Sequence, residues 1–261
     1  MASGRAFDHV VLAVRDLART AATYQSLGFT LTPRAMHEDR MGTSNRLAQF
    51  KARNFIELLE VDRPEKLARH DFAASPPVFS FGEHNRRAVA HGEGLSTLVF
   101  AGDDARADIA RFKAAGVPTF APFDFERRGK LPDGTEVTLA FSLGFAQSPD
   151  MPEVAFFVCE NRAQAAFWKP EYQVHANGAT GIAAVYLASP APERDAAFVG
   201  KMFGGDVGAL PGGGCRVACG PDQELRILTP VDVSRRVFDW AFRRTTRIDG
   251  SRFTAPRAWV E

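Results

Sequence analysis

An α+β fold of tandem βαβββ units is predicted by three observations on this chain. A strand, a glycine-ended helix and a run of further strands recur in that order three times within 261 residues. The intervals from helix cap to closing glycine are alike, running Asp16 to Gly28, Asp103 to Gly116 and Pro190 to Gly204. Hydrophobic residues make up 45% and charged residues 24% of the chain, the usage of a globular protein with a core to bury.

In the first repeat, residues 7–14 read as a strand. Alternation puts Phe7, His9, Val11 and Ala13 on one face and Val10, Leu12 and Val14 on the other. Asp16 caps a helix whose apolar face is Leu17, Ala21, Tyr24 and Leu27, and Gly28 stops it. Strands are expected at 28–33, 44–50 and 54–61, with a polar loop at 34–44. The second repeat opens at 95–101. Its helix carries Ala105, Ile109 and Phe112 and stops at Gly116 and Pro118, and strands follow near 118–127, 136–145 and 153–160. The third opens at 181–188. Its helix spans about 191–203, and strands follow near 206–210, 215–219 and 224–229. Val233, Val237, Trp240 and Ala241 suggest a short amphipathic helix, and 253–260 reads as the opening strand of an incomplete fourth unit.

The chain therefore divides into a first unit at 1–62, a long linker or lid at 63–93, a second unit at 94–170, and a third unit plus tail at 171–261. Ser80 and Glu83 have capping-box spacing inside the linker, so a helix is expected to start there. Linkers of that length are often lids or binding elements.

Net charge is +1, so no global field favours nucleic acid or a membrane surface. No apolar run approaches the roughly 18 residues of a membrane helix, and the N-terminus shows no signal-peptide core. Three cysteines in apolar strands suit packing in a reducing compartment, and a cytoplasmic location is expected.

The opening Asp-His-Val-Val-Leu-Ala-Val-Arg-Asp-Leu, the Leu-Gly-Phe-Thr after the first helix and the strand Phe-Ile-Glu-Leu resemble the vicinal oxygen chelate superfamily, which includes glyoxalase I, extradiol dioxygenases and bleomycin-resistance proteins. Residues 42–50 and 175–179 are similar to its glyoxalase-like subgroup. The resemblance implies curved, cup-shaped mixed sheets with helices outside, the first and second units paired edge to edge. It also implies a divalent metal held by one ligand from the first strand and one from the last strand of each unit. His9 and Glu57 fall on those positions in the first unit. The second unit offers Ser96 or Thr97 and a residue near Phe156, and the third offers Ala183 and Arg226, so a four-ligand site is missing.

A carboxylate on a strand face with Phe55 and Leu59 needs a cation, a metal or a proton. Imidazole and carboxylate donors suit Fe, Mn, Ni or Zn, and one further His would complete a facial iron site. His175 is the candidate for that His, against a plain turn role beside Asn177-Gly178. Arg46 and Asn45, with Phe50, Phe55 and Phe156, are the expected substrate-binding residues; Arg46 could equally neutralise Glu57. Arg127 and Arg128 read as solvated. His37, His70, His84 and His91 read as loop residues, the last two close enough to a lid helix to reach the cup.

Two functions follow. One is a metal-dependent lyase, isomerase or dioxygenase acting on a small oxygen-rich metabolite, with Glu57 as catalytic base. The other is a metal-free small-molecule binding protein of the drug-resistance type. The unpaired third unit leaves a sheet edge open, so a homodimer is expected. No nucleic-acid or membrane partner is.

Overall fold

The structure, a computed structural model, describes residues 4–130, 135–233 and 258–260. One compact unit spans Phe7–Ile182, and a second is built from the described parts of 1–6 and 183–261.

The larger unit contains β1 (Phe7–Val14), α1 (Leu17–Ser26), β2 (Ala35–Met36), β3 (Thr43–Gln49) and β4 (Phe55–Val61). After α2 (Phe81–His91) come β5 (Gly94–Gly102), α3 (Ala105–Ala114), β6 (Phe123–Lys130), β7 (Glu136–Ala146), β8 (Ala155–Asn161) and the single turn α4 (Gln164–Phe167). The strands form one mixed sheet in the order β2-β3-β4-β1-β5-β8-β7-β6. β1 runs parallel to β4 and antiparallel to β5, so the two expected units join along β1 and β5.

Asp16 is the expected cap, Asp104 rather than Asp103 caps the second helix, and the third helix starts after Ala191 with no side-chain cap. Asp16 accepts from the Arg19 amide, and Asp104 accepts from the amides of Arg106 and Ala107. Gly28, Gly116 and Gly204 sit just past helix ends at φ of 86°, 73° and 76°, the left-handed backbone that a side chain resists. Ser80 caps α2, its hydroxyl accepting from the Glu83 amide at 3.1 Å.

Two strands differ from expectation. Residues 28–33 form no named strand; the Thr32 amide donates to the Leu47 carbonyl of β3 at 2.9 Å, and the short β2 that pairs with β3 begins only at Ala35. The backbone amides of Gly28 and Phe29 instead close the end of α1, and Pro33 has no amide to offer a ladder. The strand expected from 118 begins at Phe123, because Pro118 and Pro122 likewise cannot donate.

The sheet curls until its edges meet. Across the gap, the Glu126 amide donates to Glu38 Oε1 at 3.2 Å and Arg40 Nη2 donates to the Asp124 carbonyl at 2.5 Å. The hollow is filled by Val11, Leu47, Phe55, Leu59, Phe141 and Phe157, with Phe81 of α2 entering from one side. α3 covers the opposite face, where Gly144 lies so close that an added Cβ would meet the Ala105 carbonyl at 3.0 Å.

In the second unit, β9 (Ala184–Ala188) is followed by α5 (Pro192–Phe203), β10 (Val207–Ala209), β11 (Cys215–Ala218) and β12 (Glu224–Leu228). β12 pairs parallel to β9, and β13 (Ala258–Val260) pairs antiparallel on its other side, as β4 and β5 do with β1. The amphipathic helix expected from Val233 lies, beyond that residue, outside the described residues. Among the described residues no helix is long and apolar enough to cross a membrane.

Candidate functional site

The hollow of the larger unit holds a cavity of about 50 Å³. Its polar lining is Asp8, His9, His37, Asn45, Glu57, Arg127 and Asn161, set among the aromatic side chains of the core. Five of these polar residues come from the first strand–helix–strand unit, Asn161 ends β8, and Arg127 reaches across from β6.

Strand register explains who arrives. Glu57 lies opposite Val11 on β1 and Leu47 on β3, so it shares their inward face. Asn45 stands two residues from Leu47 and also points inward. A register shift between Phe7 and His9 brings both Asp8 and His9 to the cavity, although neighbours in a regular strand would face apart. Phe123, Phe125 and Arg127 alternate inward along β6.

Glu57 is 5% exposed and His9 5%. His9 stacks on Phe55, centroids 4.2 Å apart. Its Nδ1 lies 2.5 Å from Asp8 Oδ1, and its Nε2 lies 3.5 Å from Glu57 Oε2. With Nδ1 turned to the Asp8 side chain, Nε2 is the atom offered to Glu57. The other Glu57 oxygen accepts from Asn45 Nδ2 at 2.6 Å. Asn45 Nδ2 is also 3.1 Å from His37 Nε2, while His37 Nδ1 is 2.8 Å from Thr43 Oγ1. Asn45 Oδ1 is buried without a partner.

Burial pushes the Glu57 carboxyl above its ordinary value, against the charge of His9 and the Asn45 hydrogen bond. Burial, helped by the positive charge of Arg127, pushes His37 down to about 3, so its imidazole stays neutral at physiological pH. Burial also lowers Arg127, opposed by Glu57, though a guanidinium keeps its charge in proteins. Cys159 lines the cavity too, but burial holds its thiol well above the ordinary range, so it is no nucleophile.

The sequence-predicted residues separate into two groups. His9, Glu57, Asn45 and Phe55 line the cavity; His175, Arg46, Phe50 and Phe156 do not. His175 sits in the Asn177-Gly178 turn, where its Nδ1 accepts from the Thr30 amide at 3.0 Å and its Nε2 donates to the Gln49 carbonyl at 2.8 Å. Both ring nitrogens are used, which leaves no lone pair for a metal. Arg46 pairs with Leu58 on the outward face, and its Nε donates to the Thr32 carbonyl at 2.8 Å. β3 pairs with β4 in unbroken register, where neighbours face apart, so Asn45 entering means Arg46 leaving. Phe156 is outward for the same reason, and Phe50 packs on His175. His84 donates to the Ser96 carbonyl and His91 bonds within α2.

His37 and Arg127, read as loop and solvent residues, and Asp8, which the sequence did not single out, are the additions. His37 had no local signal, because only the β2–β3 pairing carries it inward. Arg127 had one: it continues the Phe123–Phe125 alternation.

A divalent ion about 2.1 Å from His9 Nε2 and from a Glu57 oxygen would span their 3.5 Å separation. Among the described residues, however, no group of three His, Cys, Asp or Glu converges on one point. His37 Nε2 stands 3.8 Å from the other Glu57 oxygen and faces the Asn45 amide. By register, the second-unit counterparts of His9 and Glu57 are Thr97 and Phe157. A fixed guanidinium already supplies positive charge. The donor set does not fit a metal centre.

Residues 7–202 match the family described as the glyoxalase-like domain. No curated protein matches the chain. Among solved structures, a hypothetical protein from Staphylococcus aureus is 18% identical at a TM-score of 0.68, covering 85% of this chain and 85% of that one, which shows a shared fold. Methylmalonyl-CoA epimerase in complex with methylmalonyl-CoA and NH4+ is 22% identical at a TM-score of 0.42, covering 62% of this chain and 97% of that one. The epimerase from Mycobacterium tuberculosis is 20% identical at a TM-score of 0.42, covering 62% and 91%.

Proposed function

The chain belongs to the glyoxalase-like domain family, and from that premise we propose that it is an enzyme moving a proton on a small oxygen-rich metabolite, with Glu57 as the base. The observation carrying this reading is a buried carboxyl with a raised pKa, one oxygen fixed by Asn45 and the other facing His9. Proton abstraction beside a carbonyl calls for a carboxyl more basic than usual, and burial moves Glu57 in that direction. The electron pair released at carbon goes to the carbonyl oxygen. Return of the proton from Glu57 to another atom makes the reaction an isomerisation; departure of a neighbouring group with the electron pair, the proton staying on Glu57, makes it an elimination. After an elimination His9, held by Asp8, takes that proton from Glu57 and restores the base. The donor set argues against the metal-dependent version of this chemistry, and the dioxygenase alternative depends on that version.

The test follows α-proton exchange by NMR for a panel of small 2-oxo and 2-hydroxy acids and ketones in deuterated buffer. Wild type is expected to exchange at least one compound, and Glu57→Gln to do so about 10²–10⁴-fold more slowly. Equal rates would remove Glu57 from the chemistry. Binding of panel members without any exchange would favour the second reading, a sequestration protein, which the apolar wall of Phe55, Phe125 and Phe157 also supports.

A further inference from the structure

We propose that Arg127 makes this cavity a site for a small ligand bearing a carboxylate, with the guanidinium holding the anionic group against the aromatic wall. The proposal rests on the reading above only in taking this cavity as the ligand site.

Arg127 differs from the arginines of the unit that carry an acidic partner. Arg86 and Arg87 pair with Glu83, Arg106 with Asp124, and Arg162 with Glu160. Among the described residues, the Arg127 side chain has no hydrogen-bond or ion-pair partner, and its Nε is buried unsatisfied. Its guanidinium lies 5.9 Å from the centroids of Phe141 and of Phe167. Glu57 lines the same cavity and its charge is felt at Arg127, but the two make no ion pair, because the Glu57 oxygens face Asn45 and His9.

A half-buried guanidinium whose Nε is enclosed without a partner is costly, and the group that best completes it is a carboxylate accepting two parallel N–H bonds. Neutral acceptors satisfy the hydrogen bonds but leave the charge. Size narrows the class further. One water needs ~10–15 Å³ on this scale, so a cavity of about 50 Å³ takes a ligand of only a handful of heavy atoms. A short-chain acid fits both demands, and a bulky ester fits neither.

The test compares propionate with its neutral isostere propionamide, using NMR line broadening to measure binding to wild type, Arg127→Met, Arg127→Lys and Glu57→Gln. Wild type is expected to prefer propionate by at least about tenfold. Arg127→Met, which keeps an unbranched apolar chain, should abolish the preference. Arg127→Lys should retain part of it, and it serves if the Met variant fails to fold. Glu57→Gln should bind propionate at least as well as wild type, since a neighbouring acid is gone. Equal binding of the two probes, no binding of either to wild type, or a preference surviving Arg127→Met would overturn the assignment. An intact preference in a protein that exchanges no protons would leave Arg127 standing and remove the proton-transfer reading instead.

Discussion

Replacing Glu57 with Gln should change stability in a pH-dependent way that follows from its surroundings. Gln keeps the shape and the oxygen that accepts from Asn45 Nδ2 at 2.6 Å, but it cannot ionise. In wild type, burial raises the folded pKa above the ordinary 4.5. A raised acid binds its proton more tightly when folded than when unfolded. Its stabilising contribution is therefore complete below about 4.5 and is lost as pH climbs through the folded value. Through that window the wild type should fall relative to the variant by about 1.4 kcal/mol per pH unit. On a unit the size of Phe7–Ile182 this is a Tm difference of about 3–6 °C per pH unit, ending in a plateau once the folded carboxyl is ionised. Thermal unfolding followed by circular dichroism from about pH 5 to about pH 8 reads it directly. A Tm difference that does not vary with pH, or a wild type that gains on the variant as pH rises, would refute the account of Glu57 as an acid disfavoured by burial.

Other outcomes follow from the same geometry. His37, lowered from 6.5 to about 3, contributes stability that is present above 6.5 and lost as pH falls toward the folded value; a His37→Gln variant should lose that part of the acid sensitivity, and the wild-type His37 ring should show no NMR titration from about pH 5 upward. His175→Ala removes the bonds to the Thr30 amide and the Gln49 carbonyl and should cost about 2–4 kcal/mol in urea unfolding, while leaving the propionate preference unchanged. Gly82→Ala would place a Cβ 2.1 Å from the Met41 carbonyl oxygen; a loss of about 1–3 kcal/mol is expected, and an unchanged denaturation midpoint would show that α2 shifts freely.

Much of the architecture was legible because its signals are local. Helix caps and left-handed glycines act within a few residues, so Asp16, Gly28, Gly116 and Gly204 announced their helices directly. Alternation likewise put His9 and Val11 on one face, and Phe55 with Glu57 on another. The errors came where a rule was applied to one strand at a time. Arg46 and Asn45 were both sent into the cup although adjacent strand residues diverge, and Phe156 was chosen where register selects Phe157. Prolines 33, 118 and 122 removed strand segments that hydropathy alone suggested.

The cavity's charge balance lies beyond any such local rule. Composition and periodicity establish a repeated α+β chain with an acid and an imidazole on inward strand faces. Whether that acid meets a metal, a proton or an arginine depends on partners far away in sequence. Arg127 comes from the far edge strand of the sheet, and His37 from a two-strand pairing eight residues away from Asn45. A strand's own sequence sets which way each side chain points. Only the closure of the sheet sets what it points at, because curvature brings together edges that share no local sequence signal.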